Sequence, residues 1–243
     1  MFEYQSTLHE KIIFSKRLMK EYEPPEGYIL SYSGGKDSIV LLDLAKRAGV
    51  KFRARYLTTT IEHPETLEFV SKIPEIEIVQ PRKTISELII KKGFPPLRKY
   101  RYCTTELKIA IDNDKFCLIG IRAAESKKRA NYEIVQDTGK KNRHLYPIFH
   151  WLDKDIWQYI GRYRLPYNPL YDCGYKRVGC VLCPYSSAWQ IERELKAYPE
   201  IVEMYRESCR RAYEVKTAAG KVYRDFKNGD ELFEWWLRCI QNK

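Results

Sequence analysis

The chain has 243 residues, 44% hydrophobic and 31% charged, which fits one globular α/β domain with an appendage and argues against disorder. No run of ~18 apolar residues occurs, which argues against a membrane-spanning helix. Lys and Arg number 43 against 32 Asp and Glu, a net charge of +11, which points to an anionic partner, either a nucleotide or a nucleic acid. Met1 to Lys20 is charged throughout and lacks the apolar stretch of a secretory signal, so a cytoplasmic protein is expected. In such a reducing compartment the seven cysteines are expected to serve a metal site or thiol chemistry rather than a disulfide framework.

In chain order, Leu8, Ile12, Ile13, Leu18 and Met19 predict an amphipathic helix over 3–22, ended by Pro24 and Pro25. The apolar run Tyr28–Tyr32 predicts a buried strand, and a helix is expected over 38–47, stopped at Gly49. Strands over 50–57 and 75–79 alternate with helices over 64–71 and 84–91. A helix over 103–110 and a strand over 115–121 complete the pattern. This alternation predicts a doubly wound parallel α/β sheet. Past Tyr132 the pattern loosens to a helix over 153–160 and an irregular Gly-, Pro-, Tyr- and Cys-rich loop over 161–185. Helices are then expected at 187–216 and 230–240. The expected organisation is an N-terminal helix (1–27), a nucleotide-binding α/β domain (28–165), and a cysteine-bearing loop with C-terminal helices (166–243).

The stretch Ser33-Gly34-Gly35-Lys36-Asp37-Ser38 lies between the first strand and its helix. Two glycines let the backbone approach phosphate oxygens, and the helix N-terminus aims N–H groups at the same place. Ser33 and Ser38 add hydroxyls and Lys36 a positive charge. Asp37 is an odd choice beside phosphate unless it holds a metal or shapes the loop. The hexapeptide lacks the G-x-x-x-x-G-K-[ST] spacing of the Walker loop. It resembles the S-G-G-x-D-S motif of the PP-loop superfamily, whose members split ATP while adenylating a substrate or handle adenylyl sulfates.

Further segments resemble the phosphoadenosine phosphosulfate (PAPS) reductase branch. Thr58-Thr59-Thr60 with Pro64-Glu65-Thr66 is similar to D-T-G-x-x-F-P-E-T, with Thr60 where Gly is common. Cys103-Thr104 with Leu107-Lys108 is similar to C-T-x-x-L-K. Gly120 and Arg122, then Glu125, Ser126 and Arg129, are similar to G-x-R-x-x-E-S-x-x-R. Pro147–Trp151, Asp155–Trp157 and Leu165–Tyr171 continue the likeness over most of residues 28–185. The resemblance implies an adenine nucleotide alpha hydrolase-like fold that binds PAPS, its relative adenosine 5′-phosphosulfate (APS), or ATP with Mg²⁺. Ser33 to Ser38, Thr58, Thr60, Lys108, Gly120, Arg122 and Arg129 are the expected nucleotide-binding residues, and Lys36, Asp37 and Arg122 the expected catalytic ones. A continuous helix would set Arg122 and Arg129 on one face to grip a polyphosphate, although Arg129 also suits a surface pair with Glu125. In parallel sheets ligands lie beyond the strand C-termini, so these groups are expected to share a crevice.

Cys180-Val181-Leu182-Cys183 is a C-x-x-C in a tight loop, and Cys173 precedes it by seven residues. With Cys103 these are four candidate ligands for a [4Fe-4S] cluster, with zinc the lesser expectation. Resemblance implies Cys103, Cys180 and Cys183 as a set, with Cys173 replacing a cysteine that relatives carry on an insertion absent here. A redox dithiol at Cys180 and Cys183 is the alternative. Cys117, Cys209 and Cys239 read as structural.

The chain given lacks the C-terminal E-C-G-x-H motif of thioredoxin-dependent PAPS reductases. Two enzyme readings therefore stand, reductive release of sulfite from a sulfonucleotide and ATP-dependent sulfur insertion into DNA or tRNA. A non-catalytic nucleotide sensor is the third. The expected partners are the nucleotide, an electron- or sulfur-donor protein, a nucleic-acid acceptor and a second copy in a homodimer, with no membrane. Arg162, Tyr163, Arg164, Tyr167, Tyr171, Tyr175 and Arg177 are the residues that suit a polynucleotide.

Overall fold

The computed structural model describes residues 6–107, 116–137, 143–221, 223 and 225–241. The described elements run in the order α1 (Leu8–Glu21), β1 (Tyr28–Tyr32), α2 (Lys36–Ala48), β2 (Phe52–Leu57), α3 (Pro64–Ser71), β3 (Ile76–Val79), α4 (Ile85–Lys92), α5 (Tyr102–Leu107), β4 (Phe116–Ile119), α6 (Lys127–Ala130), β5 (Val135–Asp137), β6 (Arg143–Leu145), α7 (Asp153–Tyr163), α8 (Ala188–Ala197), α9 (Pro199–Ala218) and α10 (Gly229–Gln241). No helix among the described residues is long and apolar enough to cross a membrane.

The chain divides into two compact units. The first takes in the described residues of Met1–Leu57, Pro64–Val79 and Asp112–Val178; the second, those of Thr58–His63, Gln80–Ile111 and Gly179–Lys243.

The first unit is built on a six-stranded sheet of order β3-β2-β1-β4-β6-β5. Every pairing is parallel except that of β5 with β6. Sequence alternation predicts the α/β class and the first four strands. The antiparallel β5–β6 pair departs from the expected parallel sheet, and at three residues each these strands are too short to show a period of two. Central β1 is buried at Tyr28, Ile29, Leu30 and Tyr32, as a strand covered on both faces should be. The strand order reverses at β1, which lies between β2 and β4. That is the position at which a parallel sheet opens a crevice beyond its C-terminal ends.

The core of this unit joins β1 and β4 to α1, α2 and α7 through Met19, Leu30, Leu41, Leu118, Ile156 and Tyr159. Helix α1 starts at a capping box, with Thr7 accepting from the Glu10 N–H and the Glu10 carboxylate accepting from the Thr7 N–H. A buried ion pair ties it to α7, with Lys11 Nζ 2.5 Å from Asp155 Oδ2 and both side chains 5% exposed. The same Asp155 oxygen accepts the Leu152 N–H at 2.7 Å, so one carboxylate starts α7 and anchors α1.

The second unit packs α4, α9 and α10 around Ile85, Leu88, Ile89, Tyr205, Phe233 and Trp236. One helix was expected over 187–216, but there are two. Pro199 has no N–H to continue α8 and pushes the residue before it out of the helical region. Tyr198 accordingly sits at φ −127°, ψ 61°, and Pro199 opens α9. Cys239 lies on the exposed side of α10 rather than in a core, whereas Cys117 and Cys209 are buried as expected.

Removing one member of the Lys11–Asp155 pair leaves an uncompensated buried charge. Lys11→Met is expected to lower unfolding free energy by about 3–5 kcal/mol, measured by urea denaturation. A change below about 1 kcal/mol would mean that water reaches the pair.

Candidate nucleotide site and cysteine loop

In the first unit, β1 ends at Tyr32 and the chain turns through Ser33, Gly34 and Gly35 into α2. Gly34 takes φ +72°, where a side chain is disfavoured, and a Cβ there would lie 3.1 Å from the Thr66 methyl and 3.3 Å from Val70. Gly35 is the N-cap of α2. The two serines hold the turn closed. Ser38 Oγ donates to the Gly35 carbonyl at 2.8 Å and accepts from the Ser33 N–H at 3.2 Å. The Lys36 N–H donates to the Tyr171 hydroxyl at 2.9 Å.

Behind the turn, buried Asn168 donates to Thr66 Oγ1 at 2.9 Å and accepts from the Leu170 N–H at 3.0 Å. The Leu165–Tyr171 segment thus braces the loop from a site far along the chain. Burial pushes the Tyr171 hydroxyl up to about 12, helped by the nearby Asp37 and Asp153 carboxylates. It therefore stays protonated at the helix N-terminus through the physiological range.

Gly120 and Arg122 follow β4. A Cβ on Gly120 would lie 3.2 Å from the Asp37 carbonyl carbon and oxygen, so glycine lets α2 approach this strand end. Arg122 and Lys36 are 4% and 7% exposed. Arg122 Nε lies 2.6 Å from Asp37 Oδ1, and its Nη2 lies 3.0 Å from Asp153 Oδ1. Lys36 Nζ lies 3.1 Å from the same Asp153 oxygen and 3.4 Å from Asp37 Oδ2. Two cations and two carboxylates thus close one network. Its outward member is Asp153, whose side chain is 61% exposed. Burial works to raise the Asp153 carboxyl, but the hydrogen bond and charge of Lys36, with the Arg122 guanidinium, outweigh it and hold the group below the usual carboxylate range. Asp153 is ionised at neutral pH, and its contribution to stability is lost as pH falls through this lowered value.

Asp37, an odd neighbour for phosphate in sequence, is the residue that aims Arg122. The roles of Asp153, Tyr171 and Asn168 at the loop escape sequence reasoning because their partners lie far along the chain. Tyr171 and Asn168 did stand inside the Leu165–Tyr171 resemblance; Asp153 had no signal beyond opening a predicted helix.

Of the two roles expected for Arg129, the surface pair with Glu125 is the one present. Ser126 is extended at φ −170°, ψ 155°, between the 3-10 turn Ala123–Glu125 and α6. The continuous helix that would align it with Arg122 is therefore absent, and Arg129 forms an ion pair with Glu125. Lys108 lies outside the described residues. In the second unit, Thr58 Oγ1 donates to Gln80 Oε1 at 2.8 Å. Thr60 adopts φ +67°, the left-handed conformation that suits Gly there, and its hydroxyl accepts the Ile85 N–H at 3.0 Å at the start of α4. The tyrosines of the 161–177 loop are largely taken up in packing. Tyr175 is 3% exposed, and Trp157 packs edge-on against Tyr167 and Tyr171.

The second unit carries the C-x-x-C loop. The Val181 N–H donates to the Ile61 carbonyl at 2.8 Å, and Thr59 Oγ1 lies 3.1 Å from Cys180 Sγ. The Leu182 N–H donates to Glu194 Oε2 at 2.6 Å. Glu194 and His63 are both 0% exposed. His63 Nε2 lies 2.9 Å from Glu194 Oε1, and its Nδ1 lies 3.0 Å from the Gly179 carbonyl. His63 and Glu194 thereby grip both the entry to the C-x-x-C loop and its middle.

Cys103, Cys180 and Cys183 all act electrostatically on the Tyr205 hydroxyl, which burial, foremost, pushes well above its ordinary value. Cys173 belongs to the first unit and is exposed. Among the described residues no group of three or more His, Cys, Asp or Glu is placed to hold a metal ion.

The phosphoadenosine phosphosulfate reductase domain model matches residues 27–186. The chain belongs to that family. It is 30% identical over 177 residues to an adenosine 5′-phosphosulfate reductase of Bacillus cereus, covering 68% of this chain and 75% of that protein. It is also 30% identical over 240 residues to an uncharacterized protein of Methanocaldococcus jannaschii, covering 93% of this chain; the chain spans only 47% of that relative's length. Among solved structures, the PAPS reductase of Candida auris superposes with a TM-score of 0.54 at 17% identity, covering 72% of this chain and 95% of that one. The FMN adenylyltransferase of Candida glabrata superposes at 0.52 with 18% identity, covering 78% and 76%. These two likenesses show a shared fold. Family membership supports nucleotide-dependent sulfur chemistry for this chain.

Asp153 competes with any anion for Lys36 and Arg122. Asp153→Asn is expected to tighten pyrophosphate binding about fivefold in the absence of divalent cation, the value of an exposed ion pair near 1 kcal/mol. Calorimetric titration measures it, and weaker binding would show that Asp153 positions the cations rather than competing for them.

Proposed function

We propose that the chain binds an adenylyl sulfate at the Ser33–Ser38 loop and catalyses reductive release of sulfite. The buried Lys36–Arg122 pair carries this reading. Two cations are held out of water by two carboxylates, one of them exposed and displaceable, beside the N-terminus of α2. A phosphosulfate supplies the negative charge to replace Asp153, and the helix dipole favours it there. In the reaction a dithiol gives two electrons to the sulfonucleotide. The sulfur–oxygen bond to the nucleotide breaks, AMP or its 3′-phosphate leaves with a proton, sulfite is released and the dithiol becomes a disulfide. Lys36 and Arg122 stabilise charge on the departing phosphate, where preorganised donors act most strongly. Asp37 keeps Arg122 aimed.

A second reading is ATP-dependent sulfur insertion into a nucleic acid. It is favoured by the paired carboxylates, since Asp37 and Asp153 are the kind of oxygen donors that hold Mg²⁺ together with substrate phosphates. The acceptor oxygen would take the adenylyl group with loss of pyrophosphate, and a sulfur donor would then displace AMP. In both readings Cys180 and Cys183 are the thiols assigned to the sulfur step, as a redox dithiol or, with Cys103, as ligands of a [4Fe-4S] cluster. A sulfur- or electron-donor protein is the corresponding partner.

Anaerobically purified protein given APS or PAPS with a dithiol reductant is expected to release sulfite. Arg122→Ala and Lys36→Ala should each lower kcat/KM by about a hundredfold or more. Pyrophosphate from ATP and Mg²⁺ with no sulfite from either sulfonucleotide would replace the first reading by the second. Iron analysis of the same preparation tests the cluster, and an iron-free, fully active protein would leave the dithiol.

A further inference from the structure

Two short segments of the second unit, 97–101 and 185–193, put aromatic rings and cations on the surface together. Tyr100 is 61% exposed, Trp189 50% and Tyr185 38%. Single exposed rings are ordinary; here each lies beside cations, and two carry an arginine over the face. The Arg101 guanidinium lies 4.5 Å from the Tyr185 ring centre and that of Arg98 5.4 Å, while Arg193 lies 5.6 Å from Trp189. These segments carry four cations, Arg98, Lys99, Arg101 and Arg193, and one carboxylate, Glu192. The patch has a fixed frame. Arg98 Nε donates to the Pro184 carbonyl at 2.9 Å, and the Tyr185 hydroxyl donates to the Arg98 carbonyl at 3.2 Å. Ser187 caps α8, which carries Trp189 and Arg193, by accepting the Gln190 N–H at 3.2 Å. Pro184 directly follows Cys183, so the patch is built onto the end of the C-x-x-C loop.

We infer that this surface binds a single-stranded polynucleotide. Arginines beside exposed rings give a polyanion both of the contacts it uses on such proteins. The guanidinium groups meet phosphates, and the ring faces stack on unpaired bases. An acidic peptide would use the cations and leave the rings idle. A duplex would offer phosphates but no open base faces. The inference gives the second reading of function its acceptor surface and rests on that reading for its purpose only. Binding is measured without nucleotide turnover, so its failure and the failure of that reading are separate results.

The test is fluorescence anisotropy of the full chain with labelled oligouridylate and oligothymidylate, with a duplex of matched length and inorganic polyphosphate as competitors. The single strands are expected to bind more tightly than either competitor, and the two labels tell RNA from DNA. Trp189→Ala and Tyr100→Ala should each weaken binding about tenfold at constant salt. Trp189→Phe keeps a stacking ring and should restore most of the affinity. Arg101→Gln with Arg193→Gln should reduce the slope of log K against log salt by about 1.4, two phosphate contacts at about 0.7 each. All four substituted side chains are exposed, and thermal melts check that the variants fold. Equal affinity for single strand and polyphosphate, or ring variants that bind like the parent, would overturn the inference.

Discussion

Neutralising two cations out of water is the constraint on which the first unit turns. Lys36 and Arg122 are almost fully buried, and a buried charge is tolerated only when it is paired and hydrogen-bonded. Asp37 and Asp153 meet that demand from different elements. One is in the first turn of α2 and the other in the first turn of α7, while Arg122 comes from the end of β4. The ion pairs therefore act as a register for the sheet's C-terminal edge as well as a reserve of positive charge. Glycine at 34 and 120 lets the backbones come close enough, and the serine hydroxyls and Tyr171 hold the turn without adding charge.

The second unit solves a different problem around its thiols. The C-x-x-C loop leaves regular structure, with Leu182 in a left-handed conformation at φ +53°, and its backbone groups need partners. Residues 59–63 and Glu194 supply them. The buried His63–Glu194 pair then does for this loop what the charge network does for the nucleotide loop. It fixes the backbone by satisfying polar groups that burial would otherwise penalise.

The parts of this arrangement that sequence reveals are those written locally. The S-G-G-K-D-S turn, the first four strands and the C-x-x-C are consecutive residues with a strong backbone meaning. The parts that sequence hides depend on distance or on a single dihedral angle. Asp153 and Tyr171 reach the loop only through the fold. Arg129 follows the spacing of an anion clamp, yet the extended Ser126 turns it to Glu125 instead. The 161–177 loop has the tyrosines and arginines of a nucleic-acid surface, but several of those rings are spent on packing. The most exposed rings, at 100 and 189, lie outside that loop, and Tyr185 at 38% is matched by the loop's own Tyr167 at 37%.

The Lys36–Arg122 pair is the proposed anion seat for the sulfonucleotide. It is tested most directly by calorimetric binding of adenosine 5′-phosphosulfate and of adenosine to the parent chain and to Lys36→Met/Arg122→Met. The parent is expected to prefer the sulfonucleotide by about a hundredfold or more, as two charge-assisted contacts of about 1.5 kcal/mol each would give, and the variant to lose that preference while still folding. An undiminished preference in the folded variant would contradict the claim.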